Sequence, residues 1–97
     1  MLLNSQQLSD LTSLRHTLHQ HPELRGLENQ TAKTLLQKLN TLKPDQVWTN
    51  IGQTGIVALF DSNQPGPRLL FRAELDALPI HEVNTFAHRS TIKGISH

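Results

Sequence analysis

The sequence predicts an α/β fold in which two N-terminal helices pack on a short sheet. Three observations carry this. Leucines recur at helical spacing between residues 8 and 42. A dense turn signal farther on separates two short apolar runs. The first of those runs is apolar without interruption, the pattern of a strand covered on both faces.

Leu8, Leu11, Leu14 and Leu18 set the first helix, because steps of three, three and four residues place them on one face. Asn4 or Ser5 can cap it, since a short polar side chain accepts from the free amides of the first turn. Pro22 ends it by pushing His21 toward extended geometry. Glu23 to Glu28 is a connector that bends at Gly26. A second helix is expected from about Asn29 to Thr41, with Ala32, Leu35, Leu36, Leu39 and Leu42 as its buried face. Pro44 and Asp45 close it.

Strands are expected next. Gln46 to Ile51 alternates in part, Gly52 to Gly55 reads as a tight loop, and Ile56 to Phe60 is the uninterrupted apolar run. Asp61-Ser-Asn-Gln-Pro-Gly-Pro67 is the turn signal. Arg68 to Ala73 is expected as a strand antiparallel to the one before it. Beyond Pro79 the periodicity fades, and the chain holds no internal repeat or low-complexity tract.

Composition narrows the function classes. A chain of 97 residues is one domain at most, with a small core. Its 36% hydrophobic and 4% aromatic content make that core aliphatic. A net charge of +1 gives no steering toward nucleic acid or an anionic membrane. The longest apolar run, Gly55 to Phe60, is far short of the roughly 20 residues that span a bilayer. Absence of cysteine excludes a disulfide framework and a thiolate site. The opening residues, MLLNSQQLSD, lack the basic-then-apolar order of a signal peptide. These features together predict a soluble, cytoplasmic protein.

The chemistry concentrates between Phe71 and Ile80. An apolar strand running into Glu74 and Asp76 puts two carboxylates on one side of the backbone, at a strand end where α/β proteins place their sites. Buried there, the acids need a metal, a cation or hydrogen-bond donors. The alternative is a pair of solvated acids beside Arg72. The stretch Leu14 to Leu24 holds His16, His19, His21 and Glu23. His16 and His19 share a helix face, and histidine with carboxylate can bind zinc, but no HExxH arrangement is present. Hydrogen bonds from His19 and Glu23 that fix the turn after the helix explain these residues better. Gly52 and Gly55 resemble a phosphate loop only in part: no Lys-Ser/Thr follows, and a strand comes next instead of a helix.

Taken in order, these segments resemble the amidohydrolase branch of the dinuclear zinc peptidases, which includes hippurate hydrolases, auxin-conjugate hydrolases and N-acetyl-diaminopimelate deacetylases. The family's opening pattern R-x-x-H-x-x-P-E-L is matched by Arg15 or His16, then His19, Pro22, Glu23 and Leu24, with Glu28 opening the next helix. Its glycine turn and apolar strand are matched by Gly52, Gly55 and Ile56 to Phe60. Its strand-end pattern R-A-D-x-D-A-L-P-I-x-E is matched by Arg72, Ala73, Glu74, Leu75, Asp76, Ala77, Leu78, Pro79, Ile80 and Glu82. Ser90, Gly94 and His97 fit the approach to H-x-C-G-H-D. Glu74 departs from the family's Asp and is longer by one methylene.

The resemblance covers nearly the whole chain and implies that residues 1–97 are the incomplete N-terminal part of an α/β/α catalytic domain. The metal ligands and a second, smaller lid or dimerisation domain would lie beyond them. It implies a zinc, manganese or cobalt centre in the whole protein that polarises an amide carbonyl and activates water, with a downstream glutamate as general base. No metal ligand falls within this chain. Asp76 would orient a ligand histidine by accepting its free ring N–H, and Glu74 is a second candidate for that role. His19 and Glu23 would be structural. The implied partner is a small amide substrate. The contrasting expectations are an inactive remnant that forms homo-oligomers to cover its apolar strands, and a small RNA-binding module. Near-neutral charge, one Trp and three Phe argue against the module.

Overall fold

The computed structural model describes residues 2–97. Helix α1 runs Ser5–Gln20. The Asn4 side chain accepts from the Gln7 amide at 2.8 Å, and the Gln7 side chain accepts from the Asn4 amide at 2.9 Å. This reciprocal capping box occupies two donors that the first turn leaves free. The helix stops at His21 (φ −122°, ψ 59°), directly before the buried Pro22.

Helix α2 runs Asn29–Thr41, with the boundaries the sequence predicts. Its N-cap residue, Glu28, makes no capping bond of its own. Glu23 supplies the cap instead: its carboxylate accepts from the Thr31 amide at 2.5 Å and the Gln30 amide at 3.3 Å. The chain can fold back that far because Gly26 takes φ +83°, a value open to glycine, and the Leu27 amide closes the turn on the Leu24 carbonyl at 2.9 Å.

Strands β1 (Gln46–Ile51) and β2 (Gly55–Leu59) form an antiparallel hairpin in the register Gln46–Leu59, Val47–Ala58, Trp48–Val57 and Ile51–Gly55. The pairing is irregular between Trp48 and Ile51, where Asn50 turns to φ +57°. Helix α2 packs on β2.

Two expectations are corrected here. The apolar run of β2 is not covered on both faces: Val57 is 41% exposed and the following Phe60 52%. Arg68 to Ala73 is not a strand, and Leu69, Leu70 and Phe71 stand 74%, 88% and 88% exposed. The physical reason is shared. A strand needs a neighbouring backbone for its amides and carbonyls, and an apolar face needs a cover. Among the described residues β2 pairs with β1 alone, and no strand partners residues 68–73.

Backbone pairing resumes at Ala77. Its amide donates to the Glu23 carbonyl at 2.7 Å, in a parallel bridge beside Leu24. Leu78 then exchanges two backbone bonds with Ser96, at 2.8 and 3.0 Å. Residues 77–78 are thus clamped between the α1–α2 connector and the end of the chain. Ala77, 4% exposed, is buried, as is Pro22 at the end of α1. The leucines of α1 are half-buried or exposed, so the core is open on one side.

Candidate functional site

The open side of the core is a cavity of about 300 Å³ between α1, α2 and residues 74–77. Leu11, Leu14, Leu18, Leu35 and Leu75 give it an apolar floor. Arg15, His19, Glu74 and His97 give it a polar edge. The Leu78–Ser96 bridge brings His97 to this edge. Two residues that the sequence places 23 positions apart, Glu74 and His97, therefore line one cavity.

Glu74 is paired with Arg72, with Nη2 3.1 Å from Oε1, and both side chains are largely exposed. In this chain it is a solvated acid beside an arginine. Asp76 is half-buried and does not line the cavity, so the two carboxylates do not meet the same space.

The acid with the most hydrogen-bond partners is Glu82, which sequence reasoning noted only as the last residue of the strand-end motif. Its side chain is 6% exposed. One oxygen accepts from the Ser90 amide at 2.6 Å, the other from the Asn84 amide group at 2.9 Å, and His19 Nε2 lies 2.9 and 3.1 Å from the pair. Hydrogen bonds from Asn84, Ser90 and His19, in that order of weight, hold the carboxyl at a pKa of about 2. His19 therefore does not fix the turn after α1. It reaches to Glu82, while Glu23 does the local work.

From Glu82 the contacts run on toward His97. The Ser90 hydroxyl sits 2.7 Å from the Ile95 carbonyl oxygen, and Thr91 donates from its amide and its hydroxyl to the Gln20 carbonyl at 2.8 and 2.7 Å. Ser96, buried, then pairs with Leu78. A second buried acid, Glu28, accepts from the Thr54 hydroxyl at 3.2 Å and ties the start of α2 to the β1–β2 turn.

Among the described residues, no three His, Cys, Asp or Glu side chains converge as a metal site. The residues present do not by themselves fit a dinuclear centre. No helix among them is long and apolar enough to cross a membrane.

The arrangement matches a solved structure, a Bacillus subtilis dinuclear metal binding peptidase of the M20 family. The TM-score is 0.83 at 31% identity, over 92% of this chain and 25% of that one. Over these residues the chain is similar to dinuclear metal peptidases and amidohydrolases. Among curated proteins it is similar to an N-acyl-L-amino acid amidohydrolase of Geobacillus stearothermophilus, 35% identical over 92% of this chain and 24% of the relative. It is also similar to a hippurate hydrolase of Campylobacter jejuni, 32% identical over 91% of this chain and 23% of the relative. The chain thus spans about a quarter of the length of the relatives it matches. No family model matches it.

Proposed function

We propose that this chain is the N-terminal, site-framing part of a metal-dependent amidohydrolase that cleaves the amide bond of N-acyl amino acids or related small amides and peptides. One observation carries the reading. The bridges Leu24–Ala77 and Leu78–Ser96 fasten the segment bearing Glu74 and Asp76 to the segment ending at His97, so that the two conspicuous motifs share one end of the molecule. The similar proteins named above act on amides of this class.

The role left to Asp76 is positioning, by accepting the ring N–H of a histidine whose other nitrogen binds zinc, manganese or cobalt in the whole protein. Glu74 serves the same shell less directly, since its longer side chain is engaged by Arg72. No catalytic step is assigned to this chain alone, and the reading expects the isolated chain to be inactive. The exposed apolar segment around Phe71 favours association with further polypeptide or with a second copy. The setting is cytoplasmic, in keeping with the lack of cysteine, and the partner is a small amide, not a nucleic acid or a membrane.

The test mixes the purified chain with the C-terminal three quarters of the Geobacillus relative, with Zn²⁺, Mn²⁺ or Co²⁺ added, and follows release of the amino acid from N-acetyl and N-benzoyl amino acids. Hydrolysis by the mixture and by neither part alone supports the reading. Failure of the two parts to associate, or absence of turnover in a stable complex, favours the inactive remnant.

A further inference from the structure

On the face of α1 away from the Ser5 end, the rings of His16 and His88 lie stacked, with centroids 3.6 Å apart and planes parallel. Phe86 stacks on the other side of His88 at 4.2 Å and 25°. Both histidines are half-buried. This sandwich is how the loop around residues 85–89 meets the helix, together with one amide contact, Gln20 Nε2 to the Ala87 carbonyl at 3.1 Å.

The protonation state of the stack follows from chemistry. Arg15 Nη2 lies 3.2 Å from His16 Nε2. A guanidinium can only donate, so while this contact holds the ring nitrogen accepts. Charging His16 removes the acceptor and sets a cation against Arg15. Charging His88 as well puts two positive rings 3.6 Å apart. The groups facing this pair are mostly cationic or spoken for. Arg15 faces His16, and His19 stands 6.2 Å from His88. Arg89, on the same turn as His88, is turned to the Thr85 and Phe86 carbonyls. Glu82 is the nearby anion, and it is committed to His19, Asn84 and Ser90.

We propose that the His16–His88 stack is an acid-released latch: it holds the loop 85–89 on helix α1 while both rings are neutral and frees it on acidification. Glu82 acts as the hinge. Its carboxyl grips both ends of the loop, at Asn84 and at Ser90, and keeps its charge far below the range in which histidines titrate. The loop therefore opens between fixed ends and the chain does not unfold.

The direction of the His88 shift agrees with the geometry. Burial first, then the positive His16, Arg15 and His19, press its pKa below the ordinary 6.5, against the pull of Glu82. A base held low in the folded state contributes stability that is whole above the ordinary value and is lost as pH falls below it.

The test is NMR titration of the histidine ring protons of the whole chain between about pH 7.5 and 5.5, beside hydrogen exchange of the Arg89 amide, which donates to the Phe86 carbonyl within the loop. The expected result is a fall of about tenfold in protection of that amide, tracking protonation of His16 and His88, with Ser90 unchanged. His88→Phe keeps a flat ring that cannot charge and should abolish the fall. His16→Phe serves the same purpose should the first variant not fold. Flat protection in the unaltered chain, or an equal fall in either Phe variant, overturns the latch.

Discussion

The His19 imidazole and the Glu82 carboxylate meet across 63 positions of sequence, with Nε2 2.9 Å from one oxygen and 3.1 Å from the other. That contact joins the last turn of α1 to the loop that leads to His97. It should also set the acid stability of the fold. The carboxyl titrates at about 2 when folded and at 4.5 when free, so its contribution is whole above about pH 4.5 and lost as pH falls from there toward 2. Thermal unfolding followed from pH 6 to pH 2.5 should show a steep loss over that window. Glu82→Gln should start from a lower melting temperature and lose much less over the window. A variant with the same acid profile as the parent would remove Glu82 from this role.

Glu23 caps α2 from a position outside the helix, through the amides of Thr31 and Gln30. Glu23→Ala should cost about 1 kcal/mol, the usual magnitude of a lost helix cap. The measurement is chemical denaturation, read as a shift in midpoint at constant slope. Glu23→Gln keeps an acceptor oxygen but loses the charge that favours a helix N-terminus, and should fall between the two.

The β1–β2 turn distinguishes its two glycines. Gly52 sits at φ +56° with open space around its α-carbon, so Gly52→Asn should be tolerated, since asparagine enters the left-handed region readily. A β-carbon on Gly55 would meet the Ile51 carbonyl oxygen at 2.6 Å. That neighbour is backbone, held in the hairpin register, and cannot turn aside. Gly55→Ala should therefore destabilise by about 1–3 kcal/mol, in the range of forced overpacking. Melting temperatures of the two variants side by side decide it.

What the sequence made legible, and what it did not, divides along a physical line. Both helices and β1 were readable from local signals: leucine spacing, the Asn4 cap, Pro22, Gly26 and Pro44 act within a few residues of themselves. Arg68 to Ala73 was misread because an apolar run reports a preference for cover, and whether cover exists depends on residues elsewhere. Glu82 was missed as an anchor for a related reason. His19 lies 63 positions from it and Ser90 eight residues on, and no periodicity links them. The stack of His16 on His88 was equally hidden. Two histidines 72 positions apart become neighbours only after Leu78 has paired with Ser96 and Thr91 with Gln20.

For the motif residues, the expected signature is kinetic. In an active assembly containing this chain, Asp76→Asn should lower activity or metal affinity about 10–100-fold, the usual effect of losing a carboxylate that orients a ligand histidine. Glu74→Asp should be near neutral, since in this chain the side chain is solvated and paired with Arg72. Dialysis against a chelator should abolish turnover, and re-addition of zinc, manganese or cobalt should restore it. An Asp76→Asn enzyme of full activity and metal affinity would take Asp76 out of the site.

The open segment makes the last prediction a contrast between stability and association. Leu70 and Phe71 are each 88% exposed and lack a strand partner among the described residues, so they contribute almost nothing to the fold as it stands. Leu70→Lys with Phe71→Lys should leave the unfolding free energy of the monomer within about 0.5 kcal/mol, the range of ordinary surface changes. The same pair should suppress concentration-dependent association, because exposed apolar segments with unpaired backbone promote edge-to-edge contact and lysines block it. Light scattering across a dilution series measures the second effect, and denaturation at the lowest concentration measures the first. If the double variant instead unfolds the monomer, the segment is packed in solution and the core closes over it. If association persists unchanged, the contact lies elsewhere, and β2, whose Val57 is also exposed, becomes the surface to alter next.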